Sequence, residues 1–308
     1  MPSMKKYAVL DIGTNSIKFI MFSVVNAKVI TIMETSNISR LGEDLHKNRL
    51  ITADAMTRNI EVLRSFMKIA READVAEITA LGTMCLRIAG NSHLFCHKVK
   101  KELGLDIKVI SGKEEARLSH LAVIANLGKD HKNRVVFDSG GGSTEFLYCG
   151  KIADSISLDI GAVQLTQKFL LSDPARIEEL LEMQMSIRKT LNDKLAFNNV
   201  EHLVGVGGAA TTIAAVMHGM QKYDPALIHG SIIFIEEVNR QIDLYSQCSI
   251  QNRKNINGLR PERADIILAG TVIVKEVMLF FKINNFTVSD YGLRHGLIYD
   301  RYINNVKE

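Results

Sequence analysis

Apolar and polar residues follow two rhythms along this chain. Residues 7–10 and 17–25 are rich in β-branched and aromatic side chains, and Asp11-Ile-Gly-Thr-Asn-Ser16 lies between them. That pattern predicts two strands joined by a tight glycine turn, a hairpin. Residues 134–138 and 144–149 repeat it around Gly140–Gly142. The other rhythm is helical. Thr52 is a candidate N-cap, and Met56, Ile60, Leu63 and Met67 follow at helical spacing. Ile78–Leu81 and Ile107–Ile110 are strand-like; the first leads into Gly82-Thr83-Met84, the second into a helix from Lys113 to about Asn126. Asp173-Pro174 predicts a helix start, with Ile177, Leu180, Leu181, Ile187, Leu191 and Leu195 as its apolar stripe. Leu203–Val206 is strand-like, ends at Gly207-Gly208 and precedes a small-residue helix, Ala209–Met217. Pro261 is expected to open a long apolar helix through about Phe281, before a strand at Phe286–Ser289 and a helix at Gly292–Tyr302.

Strands alternating with helices predict α/β layers with a mixed sheet. The two hairpins match at Asp11/Asp138, Gly13/Gly140, Ser16/Ser143 and Phe19/Phe146. They lie about one domain length apart, so two domains built from one ancestral unit are the simple expectation. The polar, turn-rich stretch Gly128–Asn133 marks the boundary region, and the division is expected at about 125/126.

Composition narrows the function classes. The chain has 308 residues and 46% hydrophobic content, enough for sizeable cores. A net charge of +4 is too small and dispersed to argue for nucleic acid, but it suits an anionic small ligand. Cys85, Cys96, Cys149 and Cys248 are scattered, without metal-ligand spacing. No signal-peptide pattern and no run of about 20 apolar residues occurs, so a cytoplasmic protein with no membrane segment is expected.

Glycine turns such as Gly13-Thr14-Asn15-Ser16 and Gly140-Gly141-Gly142-Ser143-Thr144 can present backbone N–H groups to phosphate oxygens. Gly207-Gly208, before a helix N-terminus, is a third anion-friendly geometry. One such turn is weak evidence, since tight hairpins need glycine anyway. Asp11, Asp138 and Glu145 sit at or beside these turns, where they would repel phosphate unless a divalent cation intervened. Each aspartate alone is also an ordinary turn residue. Glu114 and Glu115 open a helix, where the dipole favours them; one of them is a candidate general base if that segment faces an interdomain cleft. Lys18, Arg87, Arg260 and Arg263 are candidate partners for a polyanion.

Eight segments in order, among them "AVLDIGTNSIKFIMF", "LGTMCLRIAGN", "VISGKEEARLSH", "VVFDSGGGSTEF", "LVGVGGAATTIAA" and "VSDYGLRHGL", resemble the exopolyphosphatase/guanosine-pentaphosphate phosphohydrolase family from residue 8 to 297. The resemblance implies two ribonuclease-H-like domains with mixed sheets flanking a cleft, as in the actin, sugar-kinase and chaperone ATPase superfamily, with a C-terminal helix, about 296–308, returning to pack on the first domain. It implies Glu115 as catalytic base and Asp138, Glu145 and Asp11 near a metal, Mg²⁺ or else Mn²⁺ or another divalent cation. It further implies that Thr14, Asn15, Ser16, Lys18, Arg87, Gly140, Gly141, Gly142, Ser143, Thr144, Gly207, Gly208 and Arg263 contact substrate phosphates. Lys18 stands where the family usually has arginine, which loses bidentate geometry. Ser139 replaces the usual isoleucine or leucine, with an expected packing cost. Longer members continue into helical C-terminal domains.

The expected activity is hydrolysis of the terminal phosphoanhydride of inorganic polyphosphate, or alternatively of guanosine pentaphosphate. A superfamily kinase or ATPase and a non-catalytic alarmone or polyphosphate binder are the rival readings. A homodimer is expected only by analogy with relatives.

Overall fold

The computed structural model describes residues 4–128, 133–149 and 153–303. The chain divides into two compact units, Met1–Leu121 with Leu293–Glu308, and Ala122–Gly292. The division falls inside the helix Gly112–Leu127. Most of the expected boundary stretch, residues 129–132, lies outside the described residues, as does 304–308 of the expected C-terminal helix.

The first unit holds a five-stranded sheet of order β3-β2-β1-β4-β5. Its strands are β1 (Lys6–Ile12), β2 (Ile17–Val25), β3 (Lys28–Asn37), β4 (Val75–Gly82) and β5 (Ile107–Val109). β1 pairs antiparallel with β2 and parallel with β4. The second unit holds a six-stranded sheet of order β10-β11-β9-β6-β7-β8. These strands are β6 (Arg134–Ser139), β7 (Thr144–Cys149), β8 (Ala153–Leu158), β9 (His202–Val206), β10 (Ile232–Phe234) and β11 (Asn285–Val288). β6 repeats the role of β1, antiparallel to β7 and parallel to β9. The strand order β3-β2-β1-β4 thus recurs as β8-β7-β6-β9, and the hairpin match seen in the sequence extends to a third and a fourth strand.

Both faces of the first sheet are covered, which is why β1 is buried continuously from Ala8 to Ile12. Ala8, Leu10, Ile12, Ile17 and Phe19 pack one way, with Leu63, Phe66, Phe95 and Val99 of the helices Ala53–Glu72 and Ser92–Leu103. Val9, Ile20 and Phe22 pack the other way, with Leu118, Leu293, Leu297 and Tyr302. Gly296 has no room for a side chain there: a Cβ would lie 1.8 Å from the Leu118 carbonyl oxygen. The second unit has one large core, in which Val135, Phe137 and Phe146 meet Ile187, Leu191, Ile213 and the apolar helix Ile267–Phe281. Val136, Val204 and Val206 pack with Val123 on the opposite face. No helix among the described residues is long and apolar enough to cross a membrane.

Thr52 caps its helix as expected, accepting the Ala55 N–H at 3.2 Å. Three expectations need correction. Asp173-Pro174 does not begin a helix; the helix spans Ile177–Lys194 after Arg176. The Asp173 carboxylate accepts the Ile250 N–H (2.8 Å) and so serves a turn far along the chain. In that helix Ile187 and Leu191 are buried, but Ile177 and Leu181 are exposed, and Met183 completes the buried stripe. Pro261 opens only the short 3-10 turn Pro261–Arg263; the apolar helix starts at Ile267.

Candidate functional site

In the first unit the Gly13 N–H donates to the Ser16 carbonyl (3.0 Å), which closes the predicted turn. The loop carbonyls are taken up by protein amides. Asn15 accepts from Ser39 and Arg40 (3.1 and 2.9 Å), and Thr14 accepts from Gly42 (2.9 Å). An anion approaching this loop therefore meets fewer free carbonyl dipoles. Thr14, Asn15 and Ser16 are buried. Thr83 donates its N–H to the Ile12 carbonyl (3.2 Å), which sets the helix Met84–Ile88 beside the loop. From that helix Arg87 Nη1 donates to Glu115 Oε2 at 2.6 Å and to the Ile110 carbonyl at 3.2 Å. These groups gather at the C-terminal ends of the parallel strands β1, β4 and β5, where α/β sheets commonly build their sites.

The two adjacent glutamates part company. Ser111 caps the helix, its Oγ accepting the Glu114 N–H and its carbonyl the Glu115 N–H. Glu114 turns outward to a bidentate pair with Arg117 (2.8 and 2.9 Å), and Arg117 also pairs with Asp300. The hydrogen bonds from Arg117 outweigh burial and hold the Glu114 carboxyl below its ordinary value. Glu115 turns inward, only 9% exposed.

The second unit builds the same loop. Gly140 N–H donates to the Ser143 carbonyl at 2.9 Å. The Gly140 and Gly141 carbonyls accept from Ala162 (3.0 Å) and Val163 (2.8 Å), at the start of the helix Ala162–Phe169. Gly161 lies so close that a Cβ would stand 2.3 Å from the Gly142 carbonyl carbon. Thr144 donates its hydroxyl to the Ile160 carbonyl (2.6 Å), so this expected phosphate contact braces the loop. Ser143 donates to Glu145 Oε1 (2.7 Å). Ser139 is buried, and its hydroxyl finds no partner among the described residues, a desolvation cost.

Asp138 lies against the start of the helix Gly207–Met217. Gly207 has a φ of +86°, and a Cβ there would be 2.5 Å from Asp138 Oδ1. Two requirements thus fall on one glycine, a left-handed backbone and a close carboxylate. The Arg263 guanidinium packs on Gly208, where a Cβ would be 1.7 Å from Nη1. The guanidinium is enclosed although the residue as a whole is only half-buried. Burial, with the nearby Arg260 charge, pushes it down to about 10. Its buried Nε has no hydrogen-bond partner among the described residues.

Twin loops of one geometry, each on an equivalent strand pair, agree with what the comparisons show. The Ppx/GppA phosphatase family model matches residues 20–304. The chain belongs to the Ppx/GppA phosphatase family. It is 33% identical over 305 residues to a bifunctional 3-dehydroquinate synthase/phosphatase of Fusobacterium nucleatum, covering 94% of this chain but only 46% of that protein. It is 28% identical to exopolyphosphatase 2 of Mycobacterium tuberculosis, covering 96% of this chain and 98% of that one. The crystal structure of the Aquifex aeolicus Ppx/GppA family member superposes with a TM-score of 0.82 at 30% identity, covering 98% of this chain and 99% of that one. The expected two-domain, actin-like α/β fold is thereby established.

In this Ppx/GppA protein the expected site residues fall into two sets. Asp11, Thr14, Asn15, Ser16, Lys18, Arg87 and Glu115 belong to the first unit; Asp138, Gly140, Gly141, Gly142, Ser143, Thr144, Glu145, Gly207, Gly208 and Arg263 belong to the second. Strand register sharpens the contrast between them. Asp11 stands opposite Lys18, and Lys18 Nζ lies 3.4 Å from Asp11 Oδ2. Asp138 stands opposite Glu145. Like charges directly opposite destabilise a sheet, more so when buried, and Glu145 is 3% exposed. No three His, Cys, Asp or Glu side chains among the described residues converge as a metal set. Two hard carboxylates still fit Mg²⁺, which is ordinarily bound through one or two of them plus substrate phosphate and water.

The sequence reading missed several residues. Ser157 of β8 donates its hydroxyl to Glu145 Oε1 (2.7 Å). Tyr223 donates to Asp290, and burial together with the Asp290 charge pushes its phenol well up. Asp290 lies within "VSDYGLRHGL", where local pattern gives it no role. Glu34 on β3 pairs with Arg294 (2.8 Å) and lies 3.5 Å from His295 Nε2. Register and long-range pairing reveal these, and neither leaves a local signal.

Proposed function

We propose that this chain is a metal-assisted phosphohydrolase that releases the terminal phosphate of inorganic polyphosphate. The observation that carries this reading is the pair of equivalent loops with committed carbonyls, one flanked by a carboxylate–ammonium pair and the other by two carboxylates. Full-length similarity to exopolyphosphatase 2 supports polyphosphate as the substrate class. Loop amides of Thr14–Ser16 and Gly141–Ser143 hold non-bridging phosphate oxygens. Arg263, enclosed at a helix N-terminus with an unsatisfied Nε, gains a hydrogen-bond acceptor when phosphate arrives. Glu115, aligned by Arg87, accepts the proton of a water attacking in line with the terminal P–O bond. Arg87 and Lys18 offset charge that builds on the transferred phosphoryl group. A divalent cation held by Asp138 and Glu145 supplies charge neutralisation at the phosphate when bound.

The test is phosphate release from long-chain polyphosphate, guanosine pentaphosphate and ATP, each with and without Mg²⁺. Mg²⁺-dependent turnover of polyphosphate in preference to the others is the expected result. Preference for guanosine pentaphosphate would keep the chemistry and replace the substrate. Turnover of none of them would overturn the reading.

A further inference from the structure

Register places Asp138, Glu145 and Ser157 directly opposite one another across β6, β7 and β8. The corresponding row of the first sheet is Asp11, Lys18 and Ser36 across β1, β2 and β3. Residues directly opposite share a face of the sheet, so each row is one line of neighbouring side chains. In the second row the middle residue is a buried glutamate, held from two sides. Ser157 Oγ and Ser143 Oγ each donate to Glu145 Oε1 at 2.7 Å.

An ionised carboxylate only accepts, and each of its oxygens offers about two lone-pair sites. Two hydroxyls on Oε1 fix that oxygen, and with it the orientation of the carboxylate. The two donors differ in their support. Ser143 belongs to the turn, whereas Ser157 sits within the β7–β8 ladder, paired along its length from Thr144/Leu158 to Cys149/Ala153. We propose that Ser157 is a positioning residue for the divalent cation: its hydroxyl anchors Glu145 Oε1 and so fixes the orientation of the carboxylate that stands opposite Asp138. The inference rests on the reading that Asp138 and Glu145 take the cation, and it adds the residue that fixes their geometry. Partners that orient metal ligands are typically worth about 10–100-fold in metal affinity.

The test is a titration of the full chain with Mn²⁺ alone, the free ion followed by electron paramagnetic resonance, so binding is read without turnover. Ser157→Ala is expected to weaken Mn²⁺ binding by about tenfold or more. Ser157→Cys, which keeps the volume but is a poor donor, is expected to do the same, and it guards against a cavity effect in the alanine variant. Ser157→Thr keeps the hydroxyl and is expected to stay within about threefold of wild type. In turnover assays the Ser157→Ala defect should lie in the metal activation constant and recover at saturating Mg²⁺. If Glu145→Gln loses Mn²⁺ affinity while Ser157→Ala and Ser157→Cys keep it, the positioning role is wrong and the cation site stands. If none of the three changes affinity, both are wrong.

Discussion

Replacing Glu115 by glutamine tests the base and its ion pair together. Glu115 Oε2 lies 2.6 Å from Arg87 Nη1, and both side chains are largely buried. At that separation two unit charges attract by about 6 kcal/mol in an effective dielectric of about 20, and desolvation of the two groups offsets much of it. Deleting one partner outright would strand a buried cation, at about 3–5 kcal/mol. Glutamine keeps the shape and an oxygen that still accepts from Arg87. The loss is then the difference between a charge-assisted and a neutral hydrogen bond, about 1–2 kcal/mol. Thermal unfolding should move down by about 2–8 °C, which leaves a protein of ordinary stability folded at assay temperature. Loss of a general base, by contrast, removes about 10²–10⁴ of rate. Phosphate release from polyphosphate and a thermal melt on the same preparation separate the two effects. A folded Glu115→Gln protein with kcat within about threefold of wild type would refute the assignment of the base.

Two further outcomes follow from other parts of the molecule. Gly161→Ala would press a methyl group against backbone atoms of Gly141 and Gly142, at 2.3–2.4 Å, so the second loop must shift. We expect a cost of about 1–3 kcal/mol and a fall of at least about tenfold in kcat/KM. Gly42→Ala meets first the Thr14 Cγ2 side-chain atom, at 2.3 Å, which can rotate away, so its effect should be smaller; equal kcat/KM for Gly161→Ala and wild type would show that loop placement does not matter. Burial alone would raise the Glu34 carboxyl, but the hydrogen bond to His295 and the charges of Arg294, His295 and Lys18 outweigh it and hold it down to about 2. A depressed carboxylate stabilises the fold above its unfolded value of 4.5 and loses that contribution as pH falls from there towards about 2. Urea unfolding should therefore find Glu34→Gln less stable than wild type at pH 7 by about 1–3 kcal/mol, discounted for partial exposure, with the gap closing below about pH 4.5; a gap independent of pH would rule this account out.

Local signals were legible and long-range ones were not. The hairpins, the Thr52 cap and the glycine turn before the helix Gly207–Met217 are written in contiguous residues, and each formed where expected. Edge strand β3 carries a β-branched run, Val29-Ile30-Thr31-Ile32, yet went unread; none of its residues is buried, so no core face marks its pairing. Ile177 and Leu181 carry helical spacing and still face solvent, since periodicity names a stripe but not whether anything covers it. Glu114 and Glu115 could not be told apart by local pattern. Neighbours on a helix point about 100° apart, and only the position of Arg87, on another helix, shows which of them faces inward. Lys18 was read as a phosphate contact following the turn. Its pairing with Asp11 depends on the β1–β2 register, which fixes the facing residue.

That register gives the repeat its chemical meaning. Both sheets keep an aspartate on the first strand and a serine on the third. Only the middle position changes, lysine in one and glutamate in the other. With lysine, the row offsets its own charge and leaves an ammonium beside a loop rich in N–H groups. With glutamate, two carboxylates face each other, Glu145 buried and Asp138 half-buried, an arrangement that favours a cation between them. A pair of that kind costs stability, and folds retain such local conflicts where function uses them. On the proposed reading, one loop geometry serves opposite electrostatic ends: Lys18 offers a cationic hold on an anionic substrate, and Asp138 with Glu145 an anionic seat for its counter-ion.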